Sequence, residues 1–393
     1  MIIAADEVIP YVTEAFSQAG EVRLFAGRSL RAEDIRDADA LIVRSVTRVD
    51  AGLLEGTSVR FVGTASIGMD HLDLDYLRGR GVRFANASGG NANSVAEYVV
   101  ATLLEIAERR GWILADKSIG IIGVGNIGSL VERKAEALGM RVLLCDPPLR
   151  ESTGNPRYGS LDDVLGADIL TLHVPLTTDG PYRTRHMIAR EVLRKLSGRQ
   201  FLINTSRGAI ICETDLKRAL RDGTIRGAAL DVWENEPHID RGLLQLTDIG
   251  TAHVAGSSLD GKVRGTDLVF REMCRCLNID AQWGNRSMFP TRKRLQAGNG
   301  RREQDAMRAL VLQAYDIRRD DMNLRGVIGM PDDAAAALFD RLRNQYALRP
   351  EFRHFLVEAA QGSSLATGLC ALGFTVAAPG TTETCHADDR TMH

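Results

Sequence analysis

Apolar and polar positions alternate along most of the chain: short apolar runs are separated by stretches at helical spacing, the pattern of parallel α/β folds. In residues 1–95 the apolar runs Ile2–Ala5, Val22–Phe25, Leu41–Val43, Val59–Val62 and Val82–Phe84 read as strands of one small domain. A periodic stretch from Ser94 to about Arg109 predicts a long helix leading out of it. Past residue 146, Ile169–Val174, Phe201–Asn204 and Ile225–Val232 read as buried strands, with helical stretches over Ala189–Lys195 and Glu213–Arg221. After Cys276 the pattern changes. Arg286 to Arg302 reads as a basic linker punctuated by Gly and Pro. It is followed by a helix around Glu303–Arg318, an apolar stretch Leu324–Ile328, a helix from Asp332, a strand near His354–Glu358 and a final helix–strand pair ending about Ala377. These elements predict a small α+β module over 285–380. The tail 381–393 has no apolar period and is expected to be disordered.

The chain is organised around Ser118–Asp146. An apolar run, a turn containing Gly123, Gly125 and Gly128, a helix and a second apolar run ending on an acid make one βαβ unit suited to a dinucleotide. Gly123 permits the tight turn, Gly125 lets the backbone approach a pyrophosphate, and Gly128 lets helix and strand pack closely. Asn126 and Ile127 open the helix, where free N–H groups and the dipole favour an anion. Asp146 falls where a carboxylate bonds ribose hydroxyls and repels a 2′-phosphate, so NAD is expected rather than NADP.

Composition narrows the class. Apolar and charged fractions of 44% and 25% are those of an ordinary soluble chain, and a net charge of −2 provides no field for gathering nucleic acid. No signal peptide or membrane-length apolar run is evident, so a cytoplasmic protein is expected. The six cysteines are scattered without a Cys-x-x-Cys pair, which indicates neither a disulfide framework nor a metal site.

Chemistry gathers in loops at strand ends. Arg207 follows Phe201–Asn204, Glu236 follows Ile225–Val232, and His253 lies in Thr-Ala-His-Val-Ala-Gly. An arginine fork can hold a substrate carboxylate, and a histidine can take a hydroxyl proton. A glutamate bonded to the other ring nitrogen would fix the tautomer. In the first domain Arg44-Ser-Val-Thr-Arg48 offers donors for a carboxylate or phosphate, or is an ordinary solvated loop. The stretch from Gly63 to His71 could face a ligand with its N–H groups, or be a turn and helix cap. His71, His173, His186 and His238 lack a comparable set of companions in sequence and read as structural.

Over residues 1–284 these motifs resemble the D-specific 2-hydroxyacid dehydrogenase family, and the match continues into the C-terminal region in a branch acting on a phosphorylated 2-hydroxy acid. The motifs that carry it are Val43-Arg-Ser-Val-Thr47, Gly63 to His71, Leu144-Cys-Asp-Pro-Pro148, Asp179-Gly-Pro-Tyr182 and Tyr315-Asp-Ile-Arg-Arg-Asp-Asp321. The resemblance implies a doubly wound NAD domain (96–253), a discontinuous flavodoxin-like substrate domain (1–95 with 254–284) and dimerisation through 285–380, for which a regulatory amino-acid-binding module is the rival reading. It implies Arg207, Glu236 and His253 as catalytic residues. Asp146, Val174, Thr205, Ser206, Arg207, Asp231 and Gly256 would contact NAD, and Arg44, Ser45, Ser66 and Ser257 the substrate. The chain departs from the family pattern at Ser257, where an aromatic is usual, and at Ala252, where proline is common. The implied activity is NAD-dependent oxidation of a phosphorylated hydroxy acid by a homodimer. Another phosphorylated substrate such as 3-phosphoglycerate, or a non-catalytic NAD-sensing protein, are the alternatives.

Overall fold

A computed structural model of the chain describes residues 1–296, 302–360, 362–379 and 384–385. By contact it divides into two compact units, Met1–Asn91 with Ser258–Pro290, and Ala92–Ser257 with Thr291–His393.

The first unit is a five-stranded parallel sheet of β1 (Ile2–Asp6), β2 (Glu21–Phe25), β3 (Ala40–Val43), β4 (Phe61–Thr64) and β5 (Arg83–Asn86), in the order β2-β1-β3-β4-β5. This is the flavodoxin-like winding, with its change of direction at β1 and β3. Successive residues point to opposite faces, so Ile42 packs in one apolar layer and Leu41 in the other. The helix Leu259–Leu277 returns to cover the first layer. Its Val269, Phe270 and Met273 are buried against Ile3 and Phe61, and Phe270 meets Phe16 edge-on at 5.5 Å. The fourth strand lies two residues later than the pattern Val59–Val62 predicted, with Thr64 as its last residue.

The second unit carries a seven-stranded parallel sheet: β6 (Ser118–Ile122), β7 (Arg141–Cys145), β8 (Tyr158–Gly159), β9 (Ile169–Leu172), β10 (Phe201–Asn204), β11 (Gly227–Leu230) and β12 (Ile249–Gly250). Its order, β12-β11-β10-β9-β6-β7-β8, is that of a doubly wound dinucleotide fold reversing at β6 and β9. The predicted long helix spans Ala92–Arg110, and the helix after the glycine turn spans Asn126–Ala137.

The C-terminal module has its own sheet of β13 (Lys293–Leu295), β14 (Phe355–Glu358), β15 (Thr375–Ala377) and β16 (Thr384–Cys385), the last antiparallel. It belongs to the same compact unit as the dinucleotide fold. The reason is apolar contact on both sides of the large sheet: Leu310, Phe352 and Leu369 share a core with Val99, Leu103 and Ile203, while Leu324, Val327 and Phe339 share one with Leu202, Leu230 and Leu243. Three further differences concern local signals. Part of the expected linker forms β13 because buried Leu295 anchors it beside β14. The predicted helix 303–318 breaks at extended Tyr315, after which the Asp316 side chain caps a new helix, Ile317–Arg325. Within the tail expected to be disordered, 384–385 pairs with β15, and the rest of that stretch lies outside the described residues. Among the described residues no helix is long and apolar enough to cross a membrane.

Candidate active site

The glycine turn follows β6. Gly123 has φ +90°, and a Cβ there would sit 2.7 Å from the His173 carbonyl oxygen at the end of β9. A Cβ on Gly128 would come within 2.0 Å of the Gly123 carbonyl oxygen, so only glycine lets this helix begin so close to its strand. Gly125 differs: it caps the helix, is exposed, and a Cβ there would meet nothing within 4 Å. Room is therefore left over the helix N-terminus, where Asn126 is exposed and Ile127 half-buried. Asp146 lies opposite. Its Oδ2 accepts the Val124 N–H at 2.8 Å, and its Oδ1 caps the helix Pro147–Thr153 through the Leu149 N–H at 2.9 Å.

Arg207, Glu236 and His253 all stand at the carboxyl edge of this sheet. Asn204, ending β10, ties the arginine loop: its Nδ2 donates to the Arg207 carbonyl, and its Oδ1 accepts from the N–H and hydroxyl of Ser206. Gly208 then passes so near the next loop that a Cβ would lie 1.9 Å from the Trp233 carbonyl carbon. In that next loop the Trp233 N–H donates to Glu236 Oε1 at 3.0 Å, and the Trp233 indole N–H donates to the Thr251 carbonyl at 2.9 Å. Glu236 Oε2 meets His253 Nδ1 at 2.8 Å. Burial works to raise the Glu236 carboxyl, but the charge and hydrogen bond of His253, then Arg343 and the Trp233 N–H, outweigh it and hold the group below the ordinary carboxylate range.

His253 is left-handed at φ +57°, an uncommon geometry for a residue with a Cβ. Asp231 holds it there. The Asp231 carbonyl accepts the His253 N–H at 2.7 Å, and its buried carboxylate accepts from the Thr251 hydroxyl and the N–H groups of Val254 and Ala255. Burial raises the Asp231 carboxyl, against the opposing charge of His253 and those bonds. The side chain expected at the cofactor is thus directed into the histidine loop. Of the other expected contacts, Thr205 is buried with its hydroxyl 3.3 Å from His173 Nδ1, whereas Val174, Gly256 and Ser257 are half-buried.

In the first unit, β1 and β3 end beside each other at the change of winding. Asp6, fully buried, holds the Arg44 Nε at 3.0 Å. Ser45 next to it is exposed. The neighbouring donors are used elsewhere, since the Thr47 hydroxyl donates to the Gly27 carbonyl and Arg48 pairs with Asp50. After β4 the hydroxyls of Thr64 and Ser66 lie 2.9 Å apart, and Thr64 meets His71 Nε2 at 3.0 Å. Burial pushes the His71 imidazole below its ordinary value.

A family profile described as "D-isomer specific 2-hydroxyacid dehydrogenase, NAD binding domain" matches residues 92–255, and one for a domain of unknown function matches 290–373. The erythronate-4-phosphate dehydrogenase of Salinibacter ruber is 44% identical over 90% of this chain and 93% of its own length. That of Escherichia coli K12 is 42% identical over 95% and 98%. The chain belongs to the erythronate-4-phosphate dehydrogenase family. Like other D-isomer-specific 2-hydroxyacid dehydrogenases, it is an NAD-dependent enzyme with a hydroxy-acid substrate. Among solved structures, it is similar to an NAD-dependent formate dehydrogenase from Staphylococcus aureus in complex with NAD (25% identity, TM-score 0.56, covering 71% of this chain and 96% of that one). It is also similar to an NADPH-dependent glyoxylate/hydroxypyruvate reductase from Sinorhizobium meliloti in complex with NADP and malonate (26%, 0.57, 69% and 92%). The fold is thus shared by users of both cofactors.

Two features of this family member were not legible in its motifs. His186 has a carboxylate after all, Glu234 Oε1 at 2.6 Å, brought close because the 186–188 and 209–211 segments run together. The Glu234 N–H in turn donates to Glu213, whose carboxyl burial pushes up to about 7 beside Glu234, Asp240 and Glu236. Arg343 is the second: its Nη1 lies 3.1 Å from the same Glu236 oxygen that faces His253. His173 remains structural, bonded to Thr171 and pushed down to about 3 by burial.

Proposed function

We propose that the protein oxidises 4-phospho-D-erythronate to 2-oxo-3-hydroxy-4-phosphobutanoate with NAD, in the biosynthesis of pyridoxal 5′-phosphate (vitamin B6). The observation that carries the chemistry is the Glu236–His253 pair on neighbouring loops of a dinucleotide-binding sheet. The substrate is taken from the full-length relatives. With Nδ1–H donated to Glu236, His253 keeps the Nε2 lone pair for the proton of the C2 hydroxyl. Bound NAD supplies the acceptor for the hydride that leaves C2. Arg207 holds the substrate carboxylate and polarises the C2 oxygen through its planar fork. Gly123, Gly125, Asn126, Ile127 and Gly128 seat the pyrophosphate, and Asp146 the ribose. Val174, Thr205, Ser206 and Gly256 line the cofactor, with Asp231 contributing through the loop it holds rather than through its carboxylate. Arg44, Ser45, Ser66 and Ser257 meet the phosphorylated substrate, residues 1–91 and 258–290 forming its domain. The enzyme works in the cytoplasm as a homodimer joined through the C-terminal module.

The test is NADH absorbance with erythronate 4-phosphate, 3-phosphoglycerate, glycerate and lactate, each with NAD and NADP. Erythronate 4-phosphate with NAD should give the highest kcat/KM. A higher value for 3-phosphoglycerate would move the substrate assignment, and NAD binding without any turnover would favour a sensor. Asp146→Ala should lower kcat/KM for NAD roughly tenfold to a hundredfold, the worth of a hydrogen bond to a charged group, and so narrow the gap to NADP. Equal use of both cofactors by the unmodified enzyme would contradict the role of Asp146.

A further inference from the structure

We infer that Arg343, on the helix Asp332–Asn344 of the C-terminal module, is a positioning residue for the proton-transfer pair, so that this module completes the active site within its own chain. The inference rests on the proposed roles of Glu236 and His253.

Glu236 is held by three donors from three parts of the fold: the Trp233 N–H on Oε1, and His253 Nδ1 and Arg343 Nη1 together on Oε2. A carboxylate with both oxygens engaged cannot rotate without breaking a bond, so the imidazole that leans on it is fixed as well. Arg343 is the member that Glu236 and His253 do not supply from their own loops. The same module grips the surrounding backbone elsewhere. Asp321 accepts the Gly250 N–H at 2.8 Å, and Arg325 donates to the carbonyls of Leu244 and Thr247. Buried Arg349 donates to the Ala255 carbonyl at 3.4 Å and to the Ser94 carbonyl. Those contacts fix the strand and loop that bear His253. Among the described residues of the module Arg343 alone reaches the dyad itself, and at 35% side-chain exposure it is not a core residue whose loss would unfold the protein.

Arg343 also has a sign. Among the described residues, the charged groups that act on the dyad are Arg343 from the C-terminal module, Glu213 from the Glu213–Arg221 helix, and Asp231 beneath His253. Each acid favours the imidazolium where it is ionised, Glu213 only above about 7, and Arg343 opposes it throughout. Without Arg343 the ring should hold its proton to higher pH.

The experiment compares the full-length enzyme with Arg343→Gln and Arg343→Lys. Arg343→Gln should lose roughly tenfold to a hundredfold in kcat, the cost of a loosened reacting group, with the KM for NAD unchanged. Its oxidation profile should move to higher pH by about one unit or less. Arg343→Lys should restore the profile and part of the rate. The second readout needs no substrate: carbethoxylation of the His253 peptide by diethyl pyrocarbonate, followed by mass spectrometry against pH, reports the neutral ring. An alkaline displacement in Arg343→Gln supports the inference whatever the substrate. Superimposed modification curves, or an equal rate loss in Arg343→Lys with no displacement, overturn it. Absence of turnover by the unmodified enzyme would count against the proposed reaction and leave the modification curves to decide on Arg343.

Discussion

Replacing Glu236 by glutamine should move the pH–rate profiles of both directions toward acid by about one unit or more, the effect of removing an opposite charge in contact with a titrating group. In the proposed reaction, oxidation of the hydroxy acid needs a neutral His253 to accept the proton, so its kcat/KM should rise with pH. Reduction of the keto acid needs the imidazolium, so its rate falls over the same interval. Glu236, held below the ordinary carboxylate range, stays anionic through that interval and favours the charged ring throughout. Glutamine keeps the size and removes the charge, and both curves then cross at lower pH. His253→Gln should abolish the rise and cost roughly 10² to 10⁴ in rate, the usual share of a general base. Curves for Glu236→Gln that superimpose on those of the unmodified enzyme, measured where chemistry limits the rate, would separate the glutamate from proton transfer.

A single methyl group at Gly208 should be as damaging as loss of a reacting side chain. The added carbon would lie 1.9 Å from the carbonyl carbon and 2.0 Å from the carbonyl oxygen of Trp233, and 2.4 Å from the Glu234 nitrogen. All three are backbone atoms, so nothing can swing aside, and the loops bearing Arg207 and Glu236 must separate. Gly208→Ala should cost about 1–3 kcal/mol in stability from overpacking and roughly 10² or more in kcat/KM from displaced groups. Gly125→Ala makes the contrast, because its Cβ meets no protein atom within 4 Å. Its melting temperature should stay put while the KM for NAD rises. Near-normal activity of Gly208→Ala would mean that close approach of the two loops is not required.

The sheets were legible in sequence because buried parallel strands are continuous apolar runs, and the predicted Phe201–Asn204 coincides with β10. The two-residue strands β8 and β12 were not, since a pair of residues such as Ile249–Gly250 carries no period. β13 was hidden in a segment rich in Arg, Gly and Pro, where one buried residue, Leu295, decides the outcome. At the site, Arg207 and Glu236 could be singled out because each sits in a loop directly after an apolar run, and His253 by its place in Thr-Ala-His-Val-Ala-Gly. Arg343 could not: it is 107 residues from Glu236, in a helix whose spacing speaks only of amphipathicity. The same holds for Glu234 beside His186, a pairing made by two segments that meet only in the folded chain. The inward turn of the Asp231 carboxylate depends on donors in another loop, which no spacing records.

Asp146 is bound twice by the protein before any nucleotide arrives, through the Val124 N–H of the glycine turn and the Leu149 N–H of the following helix. A lineage exchanging this acid for a residue that welcomes a 2′-phosphate would therefore lose a turn anchor and a helix cap in the same step. The cap alone is worth about 1 kcal/mol. On the proposed role of Asp146, cofactor preference and local folding are inherited as one trait, and a route to NADP has to pass through compensating changes around residues 124 and 149 before the new pocket gains anything.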